Sequence, residues 1–199
     1  GGARPRLLNL EGCLATAHAA LPLLWGWLGS AACELKRLNL AFNGLAPSDG
    51  AAVGGALGTN SRLEELDLGS NTLEADGVVG LCEGLAAQRA LQVRPEELRA
   101  AHNAAHSLYL VLQVLNLSYG HVGPEGARHL ATVLAAGCSL TALRLDGCGL
   151  GTDGAAAIAD ALSGPTATPL RALRIEVPRD SETRSRAHLR ASPRVSRAG

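Results

Sequence analysis

The chain has 199 residues, of which 47% are hydrophobic and 18% charged, and its 18 basic side chains equal its 18 acidic ones. That balance excludes a wholly disordered polymer and gives no overall positive charge with which to hold nucleic acid. Aromatic residues make up only 3%, so the interior must be built from Leu, Ala and Val at regular spacing. The charge is unevenly spread: Gly1 to Ile175 carries 12 basic and 15 acidic residues, whereas the remainder sets six arginines against Glu176, Asp180 and Glu182.

In chain order, the first question is targeting. Arg4 and Arg6 precede an apolar stretch, Leu21 to Leu28, followed by the small residues Ser30, Ala31 and Ala32. This faintly mimics a secretory signal, but Glu11 and His18 interrupt it, and the stretch falls in phase with later helices. It is read here as the first helix of a repeat. No stretch is long enough to span a membrane. The chain lacks Met and opens Gly1-Gly2-Ala3, with the first repeat starting almost at once, so it is read as a piece of a longer protein. Five cysteines, an odd number without a C-x-x-C spacing, suit a reducing, cytoplasmic setting.

Four segments align with one another: Leu35 to Leu45, Leu63 to Leu73, Leu112 to Val122 and Leu140 to Leu150. Each reads L-x-x-L-x-L-x-x-[N/C/G]-x-[L/V]. Weaker copies stand at Leu8-Asn9-Leu10 and at Leu170 to Ile175. Taking the first residue of the inner L-x-L as an anchor gives Leu8, Leu38, Leu66, Leu115, Leu143 and Leu173, separated by 30, 28, 49, 28 and 30 residues. The alternation at each anchor is that of a strand. Fifteen and nineteen residues beyond the first five anchors lie Leu23 and Trp27, Val53 and Leu57, Leu81 and Leu85, Leu130 and Leu134, and Ile158 and Leu162. Apolar pairs four apart in Ala-rich segments predict the inner stripe of a helix. Each unit is therefore strand, tight turn, helix and return loop, and neither half can bury its apolar side alone. Stacked units pair their strands in parallel, with helices covering one side. Because helices are wider than strands, the stack bends with strands on the inner curve.

Five residues after the anchor the chain leaves the strand and the turn loses its ladder partners. Asn donates to orphaned carbonyls there, and Cys is a small donor that tolerates burial. Cys13, Asn43, Asn71 and Cys148 fill this column, whereas Gly120 cannot.

Over about Leu8 to Ile175 these motifs resemble the leucine-rich repeat family, specifically its ribonuclease-inhibitor-like subfamily. The resemblance implies an α/β solenoid, a horseshoe of about six repeats with parallel strands on the concave face and helices on the convex face. It further implies a non-catalytic module that binds a partner protein through the concave face. Cytosolic nuclease inhibitors, innate-immune receptors and a Ran GTPase-activating protein share the repeat. A regulator of a small GTPase and a spacer or sensor region of a larger receptor are therefore the alternatives.

The residues flanking the inner leucines should point out of the concave face. They are Arg37, Asn39, Glu65, Asp67, Asn116, Ser118, Arg144, Asp146, Arg174 and Glu176. This strip is acidic around Glu65 and Asp67 and basic at Arg144 and Arg174, which suits a protein of complementary charge. None of these positions is aromatic.

Two regions break the pattern. The long interval leaves 89–109 as an irregular or inserted segment, read as a helix from about Pro95 to about Ser107. Residues 176–199, rich in Arg, Ser and Pro, are read as a disordered basic tail.

Catalytic and cofactor motifs fare poorly. Gly149-Leu150-Gly151-Thr152-Asp153-Gly154 spells a dinucleotide fingerprint, but Gly77, Gly123 and Gly126 recur at equivalent places, so the glycines belong to the repeat. His102 and His106 have helical ligand spacing but no third ligand and no catalytic Glu between them. Asn116-Leu117-Ser118 matches a glycosylation acceptor inside a strand and is discounted. The reading is a monomer with no enzyme activity, cofactor or metal, and no nucleic-acid or membrane partner.

Overall fold

The computed structural model describes residues 5–14, 18–92, 112–164 and 169–176. Six short strands, β1 (Leu7–Asn9), β2 (Arg37–Asn39), β3 (Glu65–Asp67), β4 (Val114–Asn116), β5 (Ala142–Arg144) and β6 (Ala172–Arg174), alternate with helices. The helices are α1 (Leu21–Leu28), α2 (Pro47–Thr59), α3 (Glu74–Gln92), α4 (Gly123–Ala136) and α5 (Gly151–Ser163), with a 3-10 turn, His18–Ala20, leading into α1. The strands form one parallel sheet in chain order. This is the α/β solenoid that the repeat spacing demands.

Register follows the leucines. Leu8 pairs with Leu38, Leu38 with Leu66, Leu66 with Leu115, Leu115 with Leu143 and Leu143 with Leu173. A slip of one residue would turn every anchor out of the core, so the period of two fixes the pairing. β3 pairs directly with β4, although 49 residues separate their anchors. The expected Pro95 to Ser107 helix, His102 and His106 lie outside the described residues, as do 177–199.

The core repeats with the motif. Leu35, Leu38, Leu40 and Leu45 are buried, and so are the equivalent residues of the next three units, ending in Leu140, Leu143, Leu145 and Leu150. Each such leucine contributes about 1.5–3 kcal/mol. From the convex side, Val53 and Leu57, Leu81 and Leu85, and Leu130 and Leu134 close the same core, as does Ile158 with the half-buried Leu162.

The first helix departs from expectation. Leu23, expected on the inner stripe, is 77% exposed, and Leu21, Trp25 and Leu28 are buried instead. Counted back from the following anchor, Trp25 takes the place that Val53 holds in the next unit, and Leu28 that of Ala56. The two extra residues of the 30-residue interval therefore fall before α1, which rotates its apolar stripe.

Helix spacing is set by small side chains. A Cβ added at Gly50 or Gly54 would overlap the backbone of Gly77 or Gly80, so α2 and α3 meet backbone to backbone. At α4 and α5 the approach is looser, with the Cβ of Ala127 2.8 Å from where a side chain on Gly154 would begin. Gly154 therefore has a packing role, and the G-x-G-x-x-G string is a repeat turn.

The concave face and its turns as a candidate partner-binding site

The turn column is a chain of side-chain bridges between units. Asn43 Nδ2 donates to the carbonyls of Leu10 and Leu40, both at 2.9 Å, and its Oδ1 accepts the Leu14 N–H at 2.7 Å. Asn71 repeats this one unit on, donating to Leu40 and Leu68 and accepting from Asn43 and Leu45. Cys148 donates its thiol to Leu117 O at 3.1 Å. Gly120 has no side chain to offer, and its N–H simply closes the local turn onto Leu117 O. Cys13 is exposed, and its thiol stays within its own turn on Glu11 O. No earlier turn exists among the described residues for it to reach.

A second bridging column went unread in the sequence. Asn60, at the end of α2, donates to Leu28 O at 2.6 Å and accepts from Arg62 and Leu63 N–H. Gln88 then donates to Asn60 O at 2.9 Å. The two residues lie 28 apart, like the anchors, and that spacing was the available signal.

On the concave face, an Asn or Asp just after the anchor braces the turn that follows. Asn39, Asp67 and Asn116 accept the N–H two residues on, from Ala41, Gly69 and Ser118, at 2.9–3.0 Å. Asn39 also donates to Glu11, and Asn116 donates to both Asp67 oxygens at 3.0 Å. Committed in this way inside the sheet, Asn116 is poorly placed as a glycosylation acceptor.

The charges are largely paired across units. Lys36 meets Glu64 at 2.6 Å and Arg37 meets Glu65 at 3.2 Å. At the far end, Arg174 bridges Asp146 at 2.9 Å and Glu176 at 3.0 Å. Arg144 is exposed and takes part in none of these pairs.

Two of the ten expected outward residues are not open to a partner. Ser118 and Asp146 are only 6% exposed. The Ser118 hydroxyl accepts the Asp146 N–H, and Asp146 Oδ1 accepts the Glu176 N–H at 2.9 Å. The strands are three residues long, so alternation ends before this position and the next turn covers it. Burial pushes the Asp146 carboxyl above its ordinary value, more than the Arg174 guanidinium and the Glu176 N–H lower it. Arg174 is itself held up by its hydrogen bond to Glu176. Arg37, Asn39, Glu65, Asp67, Asn116, Arg144, Arg174 and Glu176 do share one face.

The turns that follow the strands also carry aromatics that the sequence reading missed. Phe42 and Tyr119 stand four residues beyond their anchors, on the rim of the strands, and both have positive φ, 58° and 61°. Gly12 and Gly147 occupy the same column, with φ 63° and 64°. Left-handed backbone at a bulky residue costs about 1–3 kcal/mol. Phe42 is 37% exposed and Tyr119 is half-buried. Applying the repeat offset three residues past the strand would have found them.

The Cys82 thiol is pushed up to about 12 by burial, and burial likewise raises Cys138 and Cys148, so these thiols stay protonated and unreactive. Among the described residues, no group of three or more His, Cys, Asp or Glu side chains is placed to hold a metal ion, and no helix is long and apolar enough to cross a membrane.

Comparison with known proteins agrees with the geometry. The family described as Leucine Rich repeat matches residues 59–82, 111–131 and 138–159. Ribonuclease inhibitor of Sus scrofa is 35% identical over 142 residues, 67% of this chain and 31% of that protein. NACHT, LRR and PYD domains-containing protein 12 of Mus musculus is 34% identical over 66% of this chain and 13% of its own length. The chain thus spans less than a third of either relative. The solved structure of leiomodin-1 actin-binding site 2 superposes with a TM-score of 0.57 over 79% of each chain at 16% identity, a likeness of fold alone. These relatives point to a non-catalytic binding module, and the chain is a leucine-rich repeat protein of the ribonuclease-inhibitor-like type.

Proposed function

We propose that the chain is a protein-interaction module whose partner docks on the concave strand face. The observation that carries this reading is the set of side chains on that face. Arg37, Glu65, Asp67, Arg144 and Arg174 project from β2, β3, β5 and β6 of one sheet, and a half-exposed aromatic stands at each of two turns. Rigid strands spare a partner most of the ordering cost of binding, and mixed charge selects among partners. The four buried, free thiols support a reducing, cytoplasmic setting, and the module is taken to act as a monomer.

Affinity capture from lysate with the chain, and with the pair Asp67→Arg plus Arg144→Glu, tests the reading. A partner retained by the native face and lost on charge reversal, with the melting temperature kept, is the expected result. A partner indifferent to the pair but lost on substituting the convex residues Glu83 and Ala87 would place docking on the helices instead.

The match to a NACHT, LRR and PYD domains-containing protein favours a second reading, in which this module is one stretch of the sensor region of a larger receptor. The same concave surface would then serve as part of a longer arc.

A further inference from the structure

The strands of the concave face carry two outward columns, one residue before each anchor and one residue after it. Before the anchors, Arg37 lies opposite Glu65, and the two pair. Further along, that column turns small and apolar, with Val114 opposite Ala142 and Ala142 opposite Ala172. After the anchors, Asn116 lies opposite Arg144, and Arg144 opposite Arg174. Like charges directly across a ladder repel, so this arrangement of arginines costs the fold rather than holding it.

The two arginines are placed very differently. Arg174 engages the carboxylates of this part of the face, Asp146 at 2.9 Å and Glu176 at 3.0 Å. Asp146 is buried, and its other oxygen accepts the Glu176 N–H. On the opposite side of Arg144, the Asn116 amide donates to Asp67 and its oxygen accepts the Ser118 N–H. Arg144 itself is exposed, and its side chain enters no ion pair or hydrogen bond among the described residues. Beside it, Val114 and Ala142 are half-buried and Ala172 is exposed, a floor of small side chains that leaves the sheet open to close approach.

We infer that Arg144 receives an acidic side chain, aspartate or glutamate, from the partner protein, whose flanking residues lie on the floor of Val114, Ala142 and Ala172. A guanidinium takes a carboxylate through two parallel N–H donors. The incoming negative charge also offsets the repulsion from Arg174. The inference rests on the concave-face reading and narrows it to β4, β5 and β6 and to a carboxylate-bearing segment.

The test uses a short peptide, capped at both ends, with a central Val-Glu-Val, and the same peptide with glutamine in place of glutamate. Amide resonances of the full chain are followed during titration to millimolar peptide. The Ala142 and Arg144 N–H signals should shift saturably with the glutamate peptide and not with the glutamine one. Arg144→Gln should weaken binding about fivefold without lowering the melting temperature. Arg144→Lys, which keeps the charge, should recover part of the loss, and Arg128→Gln on the convex side should leave binding as it was. Equal response to both peptides, no response to either, or a response that survives Arg144→Gln overturns the inference.

The captured partner separates the two proposals. If its complex breaks on Asp67→Arg alone but survives Arg144→Gln, the concave reading stands and the acidic anchor falls. If no concave substitution affects it, both fall.

Discussion

The turns after β2 and β3 and the strand at the far end of the sheet repeat one motif but are secured differently. Asn43 and Asn71 sit fully inside, each tying its own turn to a neighbouring unit through both ends of the amide. Among the described residues β6 has core on one side only: Leu173 is 37% exposed and Ile175 36%. Its side-chain tie to the stack is ionic, through Arg174 and the buried Asp146. A solenoid unit draws stability from its neighbours, so the last described strand has less burial to lose. The central units should therefore fail on loss of shape, whereas β6 should be far less sensitive to it.

The largest effect should come from placing a charge at an anchor. Leu66 is fully buried between β2 and β4. Leu66→Asp strands an unpaired carboxylate among leucines and costs several kcal/mol, enough to abolish the cooperative melt. Leu173→Asp, at the corresponding place in β6, meets solvent and should leave the melting temperature almost unchanged. Thermal denaturation by circular dichroism reads both, and equal damage would erase the distinction between centre and end.

Next in size are the turn residues. Asn71→Ala removes a side chain whose amide serves the Leu40 and Leu68 carbonyls and the Asn43 and Leu45 N–H groups. Leaving buried polar groups unserved costs about 1–3 kcal/mol each, so this variant should lose several. Cys148→Ala gives up one thiol bond of note, to Leu117 O, and should cost about 1 kcal/mol. Urea denaturation measures both, and a Cys148 variant as damaged as the Asn71 variant would deny that amide ladders outweigh thiols.

The same contrast explains what was legible in the sequence. The strand register could be read because a buried leucine tolerates no slip, and the Asn and Cys column because only certain side chains can serve an abandoned carbonyl. Ser118 and Asp146 misled because period-two alternation holds only while the strand lasts, and these strands last three residues. Leu23 misled because spacing was counted forward from the anchor, whereas α1 is held by the strand that follows it. Phe42 and Tyr119 were invisible to a reading confined to strands. Their backbone conformation, rather than their hydrophobicity, distinguishes them.

The smallest effect, and the one that best probes the end of the stack, concerns Asp146. Its carboxyl is raised above the ordinary value near 3.8, with burial the largest cause. The folded state therefore holds this proton more tightly than the free chain does. Folding is favoured by that proton, fully so below the unfolded value, and loses the contribution as pH rises through the folded one. This is the reverse of the usual paired carboxylate. Asp146→Asn keeps an oxygen for the Glu176 N–H and removes the buried charge. At neutral pH it should hold β6 at least as firmly as the parent does, and below pH 3.8 the two should converge. Amide exchange at Leu145 and Gly147, whose N–H groups bond across to Arg174 and Glu176, reports the docking of β6 directly. Faster exchange in the variant at neutral pH would mean that the Arg174 pair outweighs desolvation, and that the charge on Asp146 holds the last strand rather than straining it.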